Sequence, residues 1–413
     1  MTRISSLHSD KSPSNRSASA GSSGLIDRTT MATQFIDLPG DYGTGEFILK
    51  RGGRLEQVRI AYESWGELNL NQDNAVLIFT GLSPSAHAAA STADRSPGWW
   101  EFMIGPGKPI DTQRFYVICV NALGGCFGST GPGSIDPATH QPYGCHFPEL
   151  TIEDIAKAGH HAIQALGIDH LRAVVGASMG GMCSLAYALQ FPDEVDHLVS
   201  ISAAARALPF TIAARSLQRE IIRHDPNWRQ GHYYYHEPPL QGMIMARKLG
   251  LMSYRAAEEW HQRFDRARIP REKQSGQDFE PEFEIESYLD YNAKKFAHRF
   301  DANSYLYLSR AMDWFDVADH GGSVNAGLSK IHVKRSLIIG VKTDILFPVH
   351  QQHELAVGLK KVGQNVEYHD LPSIQGHDSF LVDQALFTPV MRDFFETICP
   401  HTPSDCLDDC VDD

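Results

Sequence analysis

The chain has 413 residues, of which 42% are hydrophobic, and a formal net charge of −13 at pH 7. This length exceeds the roughly 100–200 residues typical of one domain, so a core domain with a sizeable insertion is expected. The negative charge and the lack of a dense Lys/Arg run argue against nucleic acid or an anionic membrane as the main partner, and they favour small-molecule chemistry in solution.

The N-terminal segment, residues 1–34, is rich in serine and carries few large apolar side chains. Such a segment cannot offset the entropy lost on ordering, so we expect a disordered leader. It lacks the apolar stretch of a secretory signal, and no apolar run in the chain reaches the ~18 residues of a membrane span. We therefore expect a cytoplasmic protein, although an organelle transit peptide stays open.

From about residue 35 the chain alternates short β-branched runs with longer segments of helical spacing, such as 151–166 and 180–191. Most of the short runs are apolar throughout, as expected of parallel strands covered on both faces. This alternation predicts an α/β fold with a doubly wound, mostly parallel sheet. The predicted strands are 57–63, 75–80, 115–120, 172–177, 197–202, 335–340 and 366–371.

Residues 206–330 interrupt this alternation with helix-like, charged and aromatic segments. The simplest interpretation is a helical lid inserted into a sheet domain made of residues 35–205 and 331–398. Insertions of this kind cover the ends of the strands and shape the substrate pocket. Residues 399–413 form an acidic tail.

The stretch 174–181, VVGASMGG, leads a β-branched strand through a Gly-Ser-Gly turn into a helical segment. A serine on such a strained turn presents its hydroxyl clear of the backbone, and the glycines leave room for the bend and for substrate. Ser178 is therefore the candidate nucleophile. The alternative is a tight turn with an incidental serine.

A serine nucleophile needs a histidine base and a carboxylate that orients the base. Asp344 follows the predicted strand at 335–340, and His377 follows the strand at 366–371. Taken singly, Asp344 could be an ordinary loop carboxylate, and His377 is one of twenty histidines. The order Ser178, Asp344, His377 after three strands is the order of an α/β-hydrolase triad.

The oxyanion of an acyl-transfer reaction needs two donors, normally the amide after the nucleophile and one from the loop after an earlier strand. Met179 supplies the first. The loop Gly81, Leu82, Ser83 and Pro84 follows the strand at 75–80, so the amide of Leu82, or that of Ser83, is the candidate for the second. The alternative is a plain Gly/Pro turn.

Two arginines lie on predicted lid helices with apolar faces, Arg215 and Arg247. The planar fork of arginine suits bidentate binding of a carboxylate, which an amino-acid acceptor and a dicarboxylic acyl group would each bring. Solvated helix arginines are the alternative. Asp378, beside the candidate base, could face the pocket and bind an ammonium group.

The seven cysteines are an odd number scattered over strands and loops, which does not indicate a disulfide framework. We expect Cys119, Cys126, Cys145 and Cys183 to be reduced thiols. The tail cysteines Cys399, Cys406 and Cys410 lack histidine partners, so we assign them no metal site.

Several longer motifs go beyond a generic hydrolase. Over roughly residues 45–395 the chain resembles the homoserine and serine O-acyltransferases of the α/β-hydrolase fold. The motifs are GPGKPIDTQRFYVICVNALGGCFGSTGP, GASMGGM, ARKLGLMSYR, ESYLDYNAKKFAHRFDANSYLYLSRAMDWFD, TDILFP and QGHDSFL. Within that family, GLSPSAHAAA and ALPFTIAARSLQREIIR resemble the serine O-succinyltransferase branch.

This resemblance implies a ping-pong transfer of a succinyl group from succinyl-CoA to L-serine, which would activate serine for cysteine synthesis. It implies that Arg215 governs the choice of succinyl over acetyl and that residues 81–84 govern acceptor choice. Arg247 and Asp378 would hold the carboxylate and ammonium of the amino acid, and Tyr254 would line the same pocket. It also implies a homodimer that needs no metal or bound cofactor.

Two other functions stay open from the sequence. A homoserine O-acyltransferase feeding methionine synthesis would use the same groups on an acceptor one methylene longer, which changes binding by only about 1–3 kcal/mol. An esterase or thioesterase would let water intercept the acyl-enzyme.

Overall fold

The computed structural model describes residues 29–400. Most of the predicted leader and nearly all of the predicted acidic tail lie outside these residues. Thr30 and Thr33, at the end of the predicted leader, bond through their hydroxyls to the buried Glu63, and the first strand begins at Gln34. Residues 29–34 of the predicted leader are thus part of the described chain.

Ten strands occur in the described part of the chain, and each strand foreseen from the sequence is among them within two residues. Three more precede or flank them: β1 and the hairpin of β2 and β3. The strands are β1 Gln34–Asp37, β2 Glu46–Ile48, β3 Arg54–Glu56, β4 Arg59–Trp65, β5 Ala75–Phe79, β6 Tyr116–Val120, β7 Leu171–Ala177, β8 Val195–Ile201, β9 Arg335–Val341 and β10 Val366–Leu371.

Among residues 29–400, eight strands form one sheet in the order β1-β4-β6-β5-β7-β8-β9-β10. All neighbours from β6 to β10 pair in parallel, while β1 and β4 are antiparallel to theirs. Because β5, β7 and β8 lie at the centre and are buried except for the half-buried Arg172 of β7, they lack the period-two alternation of a half-exposed strand. The sheet is mostly parallel, as predicted.

The α-helices of the described chain connect the strands or form the inserted segment. They are α1 Ile152–Ala165, α2 Met179–Gln190, α3 Pro209–His224, α4 Leu240–Tyr254, α5 Ala257–Phe264, α6 Glu284–Ala297, α7 Ala302–Trp314, α8 Val324–Leu328, α9 Val349–Lys361, α10 Ser379–Val382 and α11 Gln384–Thr397.

Apolar side chains cover the two faces of the sheet in separate layers. On one face α1, α2 and α9 contribute residues such as Ile155, Leu185 and Leu359, while α11 covers the other with Phe387 and Phe394. Helix α1 begins at a capping box in which Thr151 and Asp154 satisfy each other's amides. The sheet is thus a rigid base for the loops at its carboxyl edge.

Helices α3 to α8 fall within the segment predicted as a lid, and α3 packs on α4 and α7. The chain leaves the sheet after β8 and returns beside its point of departure. There the amide of Val317 donates to the carbonyl of Ala205 at 2.9 Å, and Arg206 pairs with Asp316 in an antiparallel bridge. Within residues 29–400 no helix has both the length and the apolarity that a membrane crossing demands.

Candidate active site

Ser178 lies at the sharp turn between β7 and α2, with φ 57° and ψ −122°. A non-glycine residue rarely adopts this conformation, so the surrounding packing has to hold it. The turn is possible because glycines stand two residues before and two residues after Ser178. A Cβ on Gly176 would lie 2.0 Å from the carbonyl oxygen of Gly180, and one on Gly180 would lie 2.2 Å from that of Phe79.

The structure brings the two predicted partners of Ser178 together from the ends of β9 and β10. His377 Nε2 lies 2.8 Å from Ser178 Oγ, and His377 Nδ1 lies 2.7 Å from Asp344 Oδ2. The other oxygen, Asp344 Oδ1, accepts from the amides of Leu346 and Phe347 at 2.8 Å. Asp344 is thereby fixed as the acceptor that sets the tautomer of the imidazole.

Two opposing effects act on the His377 imidazole. Burial is the largest single effect and lowers its pKa, but the neighbouring carboxylates, Asp344 foremost and then Asp378, together raise it by more, so that the pKa lies above its usual value. A base with a raised pKa accepts a proton from serine more readily, as long as the working pH keeps it neutral. The geometry can therefore generate a serine nucleophile at neutral to mildly alkaline pH.

Two amides beside Ser178 are candidates for stabilising an oxyanion. The amide of Met179 opens α2, where the helix dipole also favours negative charge, and Leu82 lies in the loop after β5 that lines the same cavity. Neither amide donates a hydrogen bond to any acceptor in residues 29–400. Both are therefore free to bind a developing negative charge.

A cavity of about 780 Å³ opens over Ser178 between the sheet edge and the inserted helices. Ten of the residues named from the sequence line it, and Asp344 and Met179 lie behind this surface. The ten are Gly81, Leu82, Ser83, Pro84, Ser178, Arg215, Arg247, Tyr254, His377 and Asp378.

Arg215, on α3, is buried, with 4% of its surface exposed. Its Nε donates to Asp313 Oδ1 on α7 at 2.6 Å, and Asp313 also pairs with Arg219 at 2.6 Å. The two terminal nitrogens of Arg215 have no hydrogen-bond partner among the described residues. A buried cation with two unused donors in a cavity can bind a carboxylate through both of them.

Arg247, on α4, lies between the catalytic cavity and the solvent. Its guanidinium bonds to Ser83 Oγ at 3.2 Å and packs over the rings of Phe296 at 4.2 Å and Tyr254 at 5.0 Å. The Tyr254 ring in turn lies 6.2 Å from that of His377. These contacts hold the cation near the loop of residues 81–84 by planar stacking, which lysine could not reproduce.

Asp378 follows the candidate base and is partly exposed to the cavity. Its Oδ2 lies 3.3 Å from Nε of Arg255, which also donates to Gln375 at 2.7 Å. Burial raises the pKa of Asp378, and Arg255, His377 and Arg247 oppose that rise. The carboxylate therefore already has one cationic neighbour on its outer side.

Four residues of the site were missed from the sequence: Asp313, Arg255, Gln218 and Tyr305. Gln218 and Tyr305 line the cavity and hydrogen-bond to each other. Asp313 and Arg255 sit inside motifs that carry the family resemblance, which was the available signal. Their partners lie about a hundred or more residues away, so no local pattern could have paired them.

The segment that directly follows the loop of residues 81–84 is anchored by a buried pair, His87 and Glu63. His87 Nδ1 lies 2.8 Å from Glu63 Oε2 on β4, and the amide of Ala86 donates to Asn121 Oδ1 at 2.7 Å. Burial is the largest single effect and lowers the pKa of His87, but Glu63, the carbonyl of Ser96 and Asp94 together raise it by more. Residues 81–84 are thus held at the cavity by strands on the opposite side of the loop.

Comparisons with known proteins agree with this geometry. A profile of the alpha/beta hydrolase fold matches residues 74–380. The serine O-succinyltransferase of Litchfieldella anticariensis is 57% identical over 364 residues, which cover 88% of this chain and 98% of that protein. The L-serine/homoserine O-acetyltransferase of Streptomyces lavendulae is 54% identical and covers 89% and 98%.

A solved structure has the same fold. The homoserine O-acetyltransferase of Bacillus anthracis superposes with a TM-score of 0.79 at 28% sequence identity, over 88% of this chain and 96% of that one. The sheet order, the nucleophile turn and these relatives lead to one conclusion. The chain belongs to the α/β-hydrolase family and, within it, to the serine O-acyltransferases.

Proposed function

We propose that the protein transfers a succinyl group from succinyl-CoA to the hydroxyl of L-serine through an acyl-enzyme on Ser178. The observation that carries this proposal is Arg215, whose two unpaired terminal nitrogens lie in the same cavity as Ser178 and His377. The named serine O-succinyltransferases among its relatives support it. The reaction requires neither a metal ion nor a bound cofactor.

In the first half-reaction, Ser178 Oγ gives its proton to His377 Nε2 and attacks the thioester carbonyl. The resulting oxyanion accepts hydrogen bonds from the amides of Met179 and Leu82. The carbon–sulfur bond then breaks, and His377 returns the proton to the departing sulfur of CoA. Asp344 stabilises the imidazolium in between without becoming protonated.

In the second half-reaction, the serine hydroxyl gives its proton to His377 and attacks the succinyl-enzyme. The ester bond to Ser178 breaks, and the same proton returns to Ser178 Oγ. The product, O-succinyl-L-serine, carries a good leaving group at its β-carbon, which suits displacement by sulfide in cysteine synthesis. One histidine can serve both half-reactions because each takes a proton from the attacking hydroxyl and returns it to the leaving group.

The charges in the cavity fit the two carboxylates of the reaction. Arg215 would bind the distal carboxylate of the succinyl group. Arg247 would bind the carboxylate of serine, and Asp378 would bind its ammonium. The loop 81–84, with Tyr254, would limit the length of the acceptor. We also propose that the protein acts as a homodimer in the cytoplasm.

A second candidate is acetyl transfer with serine or homoserine as acceptor. It is favoured by the Streptomyces lavendulae relative, whose name specifies an acetyltransferase acting on both amino acids. Because acetyl lacks the distal carboxylate, this reaction would leave the buried Arg215 without a ligand. That cost is why we place succinyl transfer first.

The test measures release of the CoA thiol from succinyl-CoA and from acetyl-CoA, with serine, homoserine or no amino acid. We expect the highest kcat/KM with succinyl-CoA and serine, and a loss of about 10³-fold or more in Ser178→Ala. Arg215→Leu should lower the succinyl rate far more than the acetyl rate. Arg223→Leu, an exposed position on the same helix, is the matched control.

Three outcomes would contradict the proposal. Thiol release that does not depend on an amino acid would indicate a thioesterase. A preference for acetyl-CoA in the unmodified protein would favour the second candidate. If Arg215→Leu lowered the rates with succinyl-CoA and acetyl-CoA equally, Arg215 would not be the residue that recognises the distal carboxylate.

A further inference from the structure

A second cavity of about 1190 Å³ adjoins the catalytic one. The two share Ser83, Pro84, Arg247 and Asp378 along their common border. Ser178 and His377 line the catalytic cavity and not the second one, so the part of a CoA thioester that does not react would extend out of the catalytic cavity. We call the adjoining space the vestibule.

The vestibule is strongly cationic in a protein of net charge −13. Arg247, Arg255, Lys295 and Arg299 line it, against a single lining carboxylate, Asp378, within the described residues. Asp378 is already paired with Arg255. A concave surface lined by one sign of charge focuses its field and concentrates ligands of the opposite sign.

Lys295 and Arg299 differ from the other two cations because they have no partner. Both side chains are exposed, and neither makes an ion pair or side-chain hydrogen bond within residues 29–400. Lys295 is in the last turn of α6 and Arg299 is two residues beyond its end, and both line the vestibule. Two unpaired cations on the wall of one cavity can bind a polyanion, and the arginine can do so bidentately.

We infer that Lys295 and Arg299 bind the phosphate groups of the CoA donor, while its pantetheine arm reaches Ser178 past Arg247. Aromatic side chains of Trp99, Tyr288 and Phe296 also line the vestibule and provide apolar surface for the rest of the donor. This inference depends on the proposed function for the identity of the donor. It adds which surface recognises the part of CoA that does not react.

The test compares a whole and a truncated donor, succinyl-CoA and succinyl-N-acetylcysteamine, which keeps the thioester but lacks the phosphates. In the double variant Lys295→Gln/Arg299→Gln we expect KM for succinyl-CoA to rise about three- to tenfold with little change in kcat. The ratio of kcat/KM between the two donors should fall by the same factor. Lys294→Gln removes a charge on the same helix, outside the vestibule and paired with Asp290, and should leave the ratio unchanged.

Inhibition by free CoA supplies a second measurement, in which the ligand that is compared does not itself react. CoA should inhibit the unmodified protein more strongly than pantetheine, and increasing salt should reduce that difference because exposed charges are screened. The double variant should show a smaller difference and a weaker dependence on salt. Dephospho-CoA separates the diphosphate from the ribose phosphate as the group that is bound.

An unchanged donor ratio in the double variant, with CoA and pantetheine inhibiting as before, would overturn the inference. An equal loss with both donors would also overturn it, since it would indicate a structural effect. Failure of the proposed function looks different: the unmodified protein would then release no thiol from succinyl-CoA in the presence of serine.

Discussion

The side chains that carry the chemistry of this protein differ in how their positions are fixed. Ser178 is held by a strained turn, while His377 is held by two hydrogen bonds to groups from other strand ends. Arg215 is held by one carboxylate, Asp313, which bonds only its Nε. Because Nε is used, the two terminal nitrogens are the ones left for a ligand.

Under the proposed function, Asp313 would be a positioning residue for the acyl donor, acting through Arg215. In Asp313→Asn we expect kcat/KM for succinyl-CoA to fall about tenfold or more relative to that for acetyl-CoA, because the guanidinium loses both its orientation and its buried counter-charge. The measurement is the ratio of kcat/KM for the two donors. Asp290→Asn, which removes a carboxylate bonded to Lys248 and Lys294 elsewhere in the helical segment, should leave this ratio unchanged. Equal effects on both donors would contradict the role of Asp313.

At the scale of single residues, the sequence predicted best where chemistry imposes a local pattern. Ser178 could be found because the turn needs Gly176 and Gly180 at fixed distances along the chain. Asp313 could not be found, because its partner lies 98 residues away on another helix. Such a contact depends on how α3 and α7 pack, which no local spacing encodes.

At the scale of elements, the N-terminus of α7 depends on a single carboxylate, Asp301. Asp301 caps the helix by accepting from the amide of Ser304 at 2.8 Å and also accepts from the buried hydroxyls of Tyr233 and Tyr234 at 2.6 and 3.2 Å. One carboxylate thus joins α7 to the irregular segment before α4. Since α7 carries Tyr305 and Asp313, this junction supports the cavity wall.

Removing this junction should destabilise the protein measurably. In Asp301→Ala we expect the free energy of unfolding to fall by about 2–4 kcal/mol, because a helix cap is lost and two buried hydroxyls lose their acceptor. Urea denaturation followed by circular dichroism checks this. Ser323→Ala removes the exposed cap of α8 and should cost about 1 kcal/mol or less. A similar small loss in both variants would show that the tyrosines do not depend on Asp301.

Among the elements, those with strong periodicity were predictable and those made by pairing were not. The central strands read as apolar runs because both faces are covered. Strand β1, by contrast, is only four residues long with three exposed side chains, and it is defined by its antiparallel pairing with β4. Its residues carry no pattern of their own that separates it from the preceding leader.

The whole molecule carries buried groups whose protonation would favour unfolding. Burial lowers the pKa of His197, on β8, to about 4, despite the opposing effect of Asp196. Glu153, at the start of α1, has a pKa of about 2: burial raises it, but hydrogen bonds from His320 and Lys50 lower it by more. Both pKa values lie below those of the unfolded chain, so the unfolded state binds more protons as pH falls.

His197 and Glu153 should therefore each lower the free energy of unfolding on acidification. The contribution of His197 to the free energy of unfolding is complete above about pH 6.5 and is lost as the pH falls towards 4. The contribution of Glu153 is lost as the pH falls below about 4.5. Urea denaturation at pH 7 and pH 5 should give a decrease that is smaller in His197→Gln by about 1–2 kcal/mol. An identical decrease in the two proteins would show that His197 titrates normally.

The antiparallel contact between residues 205–206 and 316–317 has a consequence for how this molecule can diversify. The two ends of the helical segment meet at one point of the scaffold, while Ser178, Asp344 and His377 all lie outside the segment. Arg215, Arg247 and Asp313 all lie inside it. Recombination could therefore exchange the helical segment between relatives in one event. Under the roles proposed for its arginines, such an exchange would alter the acyl groups accepted and leave Ser178, Asp344 and His377 unchanged.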